Sequence, residues 1–90
     1  MLADNRPQRG ADIVWRRADA GVVVLKPSDG QYFSLDDVGG RIWELCEGER
    51  TVTEIADTLA QEYEAPAAVI ERDALELLEE LESEGLVRAV

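Results

Sequence analysis

The stretch Gly21-Val-Val-Val-Leu-Lys-Pro-Ser-Asp-Gly-Gln-Tyr-Phe-Ser-Leu-Asp36 predicts two β-strands joined by a tight turn. Residues 22–26 are rich in β-branched side chains, and residues 31–35 alternate polar with apolar. Between them, Pro27 fixes φ, Asp29 can bond its own backbone, and Gly30 accepts a positive φ. We therefore expect a β-hairpin here.

Our functional hypothesis depends on the second strand of this hairpin and on whether its outer edge is free. After Asp36 the pattern is helical almost to the end, so the strand at residues 31–35 has no long strand after it to pair with. Residues 87–90 are predicted to form a short extended end, and two alternatives stay open for them. Either they cover the outer strand, or that strand keeps a free edge that an added peptide can join.

Upstream of the hairpin, residues 12–17 are predicted as a first strand, with Ile13 and Trp15 on one side. Residues 18–21 then turn the chain back, which gives a three-stranded antiparallel meander. Residues 1–10 show no hydrophobic period and are expected to form a flexible N-terminal tail. The predicted domain is residues 11–90.

Three helices are predicted to follow, each from a local signal. Asp36 or Asp37 starts the first, and Gly48 is expected to end it as a left-handed cap. The pair Gly39-Gly40 disfavours a helix, which suggests either close approach of the helix to the sheet or a weak first turn.

The second and third helices carry more specific signals. Thr51 and Glu54 form a capping-box pattern at the start of the second. Pro66 suits the first position of the third helix, and Gly85 followed by Leu86 is typical of a Schellman motif at its end. The prediction is an α+β, winged-helix-like domain, with a three-stranded antiparallel sheet followed by three helices.

Composition excludes several functions. The chain has no histidine and one cysteine, so it can form neither an internal disulfide nor a histidine-based nucleophilic triad. No phosphate-binding loop or metal-ligand cluster is present in the sequence, so we expect no catalytic residues, no cofactor and no metal. There is no membrane-length apolar segment and no signal peptide pattern, and we expect a cytoplasmic protein without a membrane partner.

The charge is unevenly distributed. Residues 1–31 carry five basic and four acidic side chains, whereas residues 32–90 carry four basic and sixteen acidic ones, which together give the net charge of −11. Residues 71–84 hold seven acids and one base. Such a surface repels phosphate backbones and attracts basic partners, although an acidic helix face is also an ordinary way to stay soluble.

We therefore predict a peptide-binding site between the outer strand and the third helix. The strand would supply a ladder of backbone hydrogen bonds, and the helix an apolar spot ringed by carboxylates for an aromatic or aliphatic anchor with basic neighbours. Phe33 and Leu35 share one face of the strand, and their pattern favours core residues over pocket residues. The candidate site residues are Gln31, Tyr32, Phe33, Ser34, Leu35, Val69, Asp73, Leu77 and Glu80.

Several segments, taken in order and at this spacing, resemble the PqqD-like family of recognition domains from ribosomal peptide modification systems. The segments are Tyr32-Phe-Ser-Leu-Asp36, Ile42-Trp-Glu-Leu45, Glu47-Gly48, Thr51-Val-Thr-Glu-Ile55, Leu59, Tyr63 and Leu81 with Gly85-Leu86-Val87. The resemblance covers about residues 12–90. Within the family, the chain is most similar to the stand-alone B1 recognition subunit of lasso-peptide systems.

The resemblance implies a function that needs no catalysis by this chain. Family members bind a precursor's leader peptide beside the third strand and against the third helix. The lasso-peptide branch then offers the complex to a separate B2-type leader peptidase, and a cyclase acts on the released core. The alternative within the family is a chaperone for the pyrroloquinoline quinone precursor.

Two other interpretations come from the residues themselves. A winged-helix-like domain suggests a nucleic-acid-binding regulator, but residues 51–63 carry Glu54, Asp57 and Glu62 and no Lys or Arg, which argues against DNA or RNA as a partner. A free edge strand also allows a dimer in which two copies pair their edges.

Overall fold

The computed structural model describes residues 1–90 and has an α+β architecture. The elements in chain order are β1 (Pro7–Arg9), β2 (Val14–Ala18), β3 (Gly21–Lys26), β4 (Gln31–Leu35), α1 (Asp37–Glu44), α2 (Val52–Tyr63), α3 (Ala67–Ser83) and β5 (Val87–Ala89). A three-stranded antiparallel sheet has the order β2-β3-β4, and a separate two-stranded sheet joins β1 to β5. The α+β class, the three-stranded sheet and the three helices are as predicted, and the second sheet was not expected.

The hairpin β3–β4 forms with the bounds predicted for its second strand. Val22 lies opposite Leu35, and Val24 lies opposite Phe33, so these side chains share the face of the sheet that is turned to the helices. Both valines are completely buried, whereas Phe33 and Leu35 are half-buried. At the turn, the Gly30 N–H donates to the Lys26 carbonyl at 2.9 Å, with the glycine at φ 71°.

The prediction of a flexible tail over residues 1–10 is wrong where β1 forms. Pro7, Gln8 and Arg9 pair in register with Ala89, Arg88 and Val87. Before β1, the Asn5 carbonyl accepts a hydrogen bond from the Val52 N–H at 3.1 Å. The segment has no hydrophobic period because it is held mainly by backbone groups, which every non-proline residue offers.

The first two helices begin as their local signals predict, and the third begins one residue later than predicted. Asp36 is the N-cap of α1, and its Oδ1 accepts from the Gly39 N–H at 2.7 Å. In α2 both halves of the Thr51–Glu54 capping box are present. Pro66 is the N-cap of α3 rather than its first helical residue.

The predicted end of α3 is confirmed, and the predicted end of α1 is wrong. At the end of α3, Leu86 N–H donates to Leu81 C=O at 2.9 Å and Gly85 N–H to Glu82 C=O at 3.0 Å, which is the Schellman pattern. In contrast, α1 ends at Glu44, so Gly48 does not cap it. Gly48 has φ 77° and lies in the loop before α2. Its N–H donates to the Pro7 carbonyl at 2.9 Å, so this glycine connects the loop to β1.

Helix α1 packs closely on β3 because Gly40 has no side chain. A Cβ at Gly40 would lie 2.9 Å from Cγ2 of Val22 and 3.1 Å from its backbone nitrogen. This confirms the close approach that was one of two explanations for the glycine pair. The neighbouring Ile42 and Trp43 are buried in the same core.

Two tryptophans and an arginine connect β1, β2 and α1. Trp15 and Trp43 pack edge to face, with ring centroids 6.3 Å apart. The Arg9 guanidinium lies 5.0 Å from the centre of the Trp15 ring and donates to the carbonyls of Trp43 at 2.9 Å and Glu44 at 2.7 Å. Arg9 thus satisfies carbonyls at the C-terminal end of α1.

Candidate functional site

The edge strand β4 has no strand of this chain on its outer side. It ends the sheet order β2-β3-β4, and β5, the remaining strand after it, is paired with β1. Along β4, Tyr32 and Ser34 are exposed, whereas Phe33 and Leu35 turn toward the helices. The outer amides and carbonyls of β4 are therefore available to an added strand.

A groove runs between β4 and α3 and contains two cavities. The first has a volume of about 540 Å³ and lies at the end of the groove next to α1. Its walls come from the end of β4, the first turns of α1 and the middle of α3. The lining residues are Ser34, Leu35, Asp36, Val38, Gly39, Ile42, Asp73 and Leu77.

The second cavity continues the groove toward the C-terminal end of α3 and has a volume of about 560 Å³. It shares Ser34, Leu35 and Leu77 with the first, so the two are adjoining parts of one surface. Both volumes fall within the range of ~300–1,000 Å³ usual for ligand sites. The residues that line the second cavity are Tyr32, Phe33, Ser34, Leu35, Leu77, Glu80, Leu81, Ser83 and Glu84.

The structure brings together seven of the nine predicted site residues in these cavities. Asp73 lines the first, Glu80 the second and Leu77 both. Gln31 and Val69 line neither. Gln31 begins β4 opposite Lys26, and Val69 is 43% exposed one turn before Asp73.

Sequence reasoning missed the contribution of α1 to the groove. Val38 and Ile42 are spaced as on one face of a helix, which by itself gives no sign of a groove. In the structure they also line the first cavity, together with Gly39. At the other end, Leu81, Ser83 and Glu84 extend the second cavity. The consecutive glycines Gly39-Gly40, which are unfavourable in a helix, were the one sequence signal that could have pointed to α1.

The groove combines apolar walls with an acidic rim. Asp36 and Asp73 line the first cavity, Glu80 and Glu84 line the second, and no lysine or arginine lines either. The Asp36 carboxylate already accepts from the Gly39 N–H, whereas Asp73 is exposed and lies 3.5 Å from the exposed Arg72. Such a groove favours an apolar side chain whose neighbours are basic.

The cysteine lies outside the groove and is buried. Burial raises the pKa of Cys46 to about 12, which keeps the thiol protonated at neutral pH. Its Sγ donates to the Ile42 carbonyl at 3.2 Å. These observations agree with a packing role for Cys46 rather than a reactive one.

No group of three or more His, Cys, Asp or Glu side chains is arranged to hold a metal ion. None of the helices is both long enough and apolar enough to cross a membrane.

The sequence matches a protein-family model described as coenzyme PQQ synthesis protein D (PqqD) over residues 21–87. Among curated relatives, the chain is 37% identical over 65 residues to the PqqA binding protein of Rhodopseudomonas palustris (strain HaA2), which covers 72% of this chain and 62% of that protein. The chain thus spans less than two thirds of that relative. It is also 34% identical over 90 residues to the PqqA binding protein of Xanthomonas axonopodis pv. citri (strain 306), covering 98% and 96% of the two chains.

Comparison with solved structures points to the same family. TbiB1 in complex with the TbiA(beta) leader peptide has a TM-score of 0.79 at 34% identity, covering 90% of this chain and 94% of that one. A lasso peptide synthetase B1 complexed with its leader peptide has a TM-score of 0.80 at 25% identity, covering 92% and 98%. The PqqD truncation of Methylobacterium extorquens PqqCD, described as a RiPP recognition element, has a TM-score of 0.77 at 31% identity, covering 91% and 87%. The chain belongs to the PqqD family, and its structural neighbours are recognition elements for ribosomally synthesised and modified peptides.

Proposed function

We propose that this protein binds the leader segment of a ribosomally made precursor peptide and presents it to separate maturation enzymes, without catalysing a reaction itself. The leader adds to β4 as an extra strand, and its inward side chains enter the groove against α3. The observation that carries this proposal is the free outer edge of β4 beside a groove lined by apolar side chains and carboxylates.

Backbone pairing supplies part of the binding energy. Each hydrogen bond of an added strand contributes ~0.5–1.5 kcal/mol net, so four or five bonds along β4 offset much of the cost of ordering the leader. Such bonds do not discriminate between sequences. Discrimination comes from alternate side chains, which lie about 6.6–6.8 Å apart on one face of a strand, so that successive inward residues reach the two adjoining cavities.

The outward side chains of the added strand meet a different surface. Tyr32, 71% exposed, and Ser34 form the outer face of β4, and an added strand places its own outward residues beside them. Of the predicted residues, we propose Tyr32, Phe33, Ser34, Leu35, Asp73, Leu77 and Glu80 as the binding set. The Gln31 N–H already donates to Asp29 Oδ1 at 3.2 Å, so at the start of β4 Gln31 can offer an added strand only its carbonyl.

Two pathways within the family supply candidate peptides. The B1 structures are complexes with leader peptides, and the curated relatives are PqqA binding proteins. We propose lasso-type maturation first, with a B2-type peptidase and a cyclase as the enzymes that receive the complex in the cytoplasm. The PQQ precursor is the second candidate, because the relatives named for PqqA are as similar in sequence as the B1 proteins.

Fluorescence anisotropy with three labelled peptides tests the proposal. These are the TbiA(beta) leader, PqqA, and the leader of any short precursor encoded beside this protein's gene. The expected result is binding of one peptide, with new protection from hydrogen exchange at those amides of β4 that point away from β3. Failure of all three peptides, or protection confined to the β2 edge, would overturn it.

The other interpretations have their own checks. A winged-helix regulator would contact nucleic acid through a recognition helix, which would have to approach negatively charged phosphates. Here α2 carries Glu54, Asp57 and Glu62 and has no lysine or arginine. A gel shift at low salt is expected to show no complex. An edge-paired dimer would use the same β4 edge, so sedimentation with and without bound leader distinguishes it: a leader that dissociates a dimer competes for this edge.

A further inference from the structure

The two consecutive glycines of α1 face different surroundings. At Gly40, an added Cβ would meet the backbone nitrogen of Val22 at 3.1 Å, so this glycine is required for packing on β3. At Gly39, an added Cβ would meet Cδ2 of Leu77 at 3.4 Å, Cβ of Leu35 at 3.6 Å and the Asp36 Oδ1 at 3.0 Å. Its neighbours are thus side chains, and two of them are the walls of the groove.

Neither backbone conformation nor sheet packing explains Gly39. Its φ is not positive, and it lies in the first turn of a helix, where glycine is less favourable than alanine by ~1 kcal/mol. What glycine does supply is space: any side chain at this position would project between Leu35 and Leu77 in the first cavity.

We propose that Gly39 determines specificity, by setting the size of the peptide side chain that the first cavity accepts. With no side chain at residue 39, a large apolar residue of the added strand, of leucine or aromatic size, passes between Leu35 and Leu77 toward Ile42. A larger residue at position 39 restricts the cavity to small side chains. This inference rests on the proposed leader binding and identifies the kind of anchor the leader carries.

A fragment experiment tests the cavity without any leader. Isotope-labelled wild type and Gly39→Ala are titrated with p-cresol, an analogue of the tyrosine side chain, and amide shifts are followed by NMR. The expected result is saturable shifts at Gly39, Leu77 and Ile42 in the wild type, and an affinity at least fivefold weaker in the variant. Absence of such shifts in the wild type, or equal affinity in both proteins, would overturn the role of Gly39.

A double-mutant cycle then tests specificity with whichever leader binds in the anisotropy titration. Each inward leader residue is replaced by alanine, and the variants are measured against wild type and Gly39→Ala. Gly39→Ala is expected to weaken binding of the unmodified leader at least tenfold. For the leader whose large anchor has been changed to alanine, the same substitution should weaken binding less than threefold. Equal weakening of both leaders indicates a structural effect and would refute the inference.

Stability measurements separate the two glycines. In Gly39→Ala the tightest contact of the new Cβ is with the Asp36 carboxylate at 3.0 Å, and a side chain can shift, whereas in Gly40→Ala the Cβ meets the Val22 backbone at 3.1 Å. Thermal unfolding is therefore expected to show a smaller loss of stability for Gly39→Ala than for Gly40→Ala. If no leader binds the wild type, the proposed function fails, while the p-cresol titration still decides whether Gly39 keeps the cavity open.

Discussion

Leu35 of β4 and Leu77 of α3 lie on opposite walls of one groove, and both line each of its two cavities. This pair joins the edge strand, which offers backbone groups, to the helix, which offers side chains. In the proposed complex, the inward residues of a strand paired with β4 enter the groove between these two leucines. Substitutions of residues that line the groove test this arrangement.

Leu77→Ala is expected to weaken leader binding about tenfold or more. The change removes apolar contact from both cavities, and burial of each methylene contributes ~0.8 kcal/mol. Anisotropy titration measures the effect. Leu75→Ala is the matched control, since Leu75 is also half-buried on α3 but lines neither cavity. Equal losses in the two variants would contradict a binding role for Leu77.

Charge reversal at the rim is expected to weaken binding of a basic leader. Asp73→Lys and Glu80→Lys each replace a carboxylate that lines a cavity, so affinity should fall several-fold and depend less on salt. Asp57→Lys makes the same charge change on α2, outside the groove, and should have a smaller effect. Titrations at low and physiological ionic strength measure both quantities. Unchanged affinity in the two rim variants would remove these acids from the site.

Arg9→Ala is expected to destabilise the fold and leave leader affinity unchanged. The substitution removes the donor to the carbonyls of Trp43 and Glu44 and the stacking on Trp15, at a cost of roughly 1–3 kcal/mol. Urea unfolding measures the loss, and Arg9→Lys, which keeps one charged donor, should recover part of it. Wild-type stability in Arg9→Ala would indicate that β1 contributes little, as expected of a flexible tail.

Stability is expected to fall at alkaline pH because of Cys46. Burial raises its pKa from 9.0 to about 12, so the folded state holds the thiol proton more tightly than the unfolded state. The associated stability is fully present below about pH 9 and is lost as the pH rises toward 12, at about 1.4 kcal/mol per pH unit.

The measurement is urea unfolding of wild type and Cys46→Ala between pH 7 and pH 10.5. Other groups that titrate in this pH range contribute equally to both proteins, so their contributions cancel in the difference. The difference in unfolding free energy between the two proteins should stay constant up to about pH 9 and then change in favour of the variant. A constant difference across the whole range would mean that the thiol is not buried in the folded state.

Elements that depend on neighbouring residues could be predicted from the sequence. The hairpin turn at Pro27–Gly30, the capping box of Thr51 and Glu54 and the Schellman end at Gly85 all form, because each involves hydrogen bonds or φ angles set within a few residues. Gly48 shows the limit of such signals. Its positive φ was correctly anticipated, but the residue serves a contact with Pro7 and not the end of α1.

Which sheet edge stays open depends on contacts between segments that are distant in the chain. Residues 87–90 could have covered β4, yet β5 pairs with β1, a segment some eighty positions away in the chain. The tertiary structure also brings Gly39 and Ile42 of α1 to the groove. Backbone hydrogen bonds are offered by nearly every residue, and a groove exists only where separate elements meet, so neither leaves a periodic trace in the sequence.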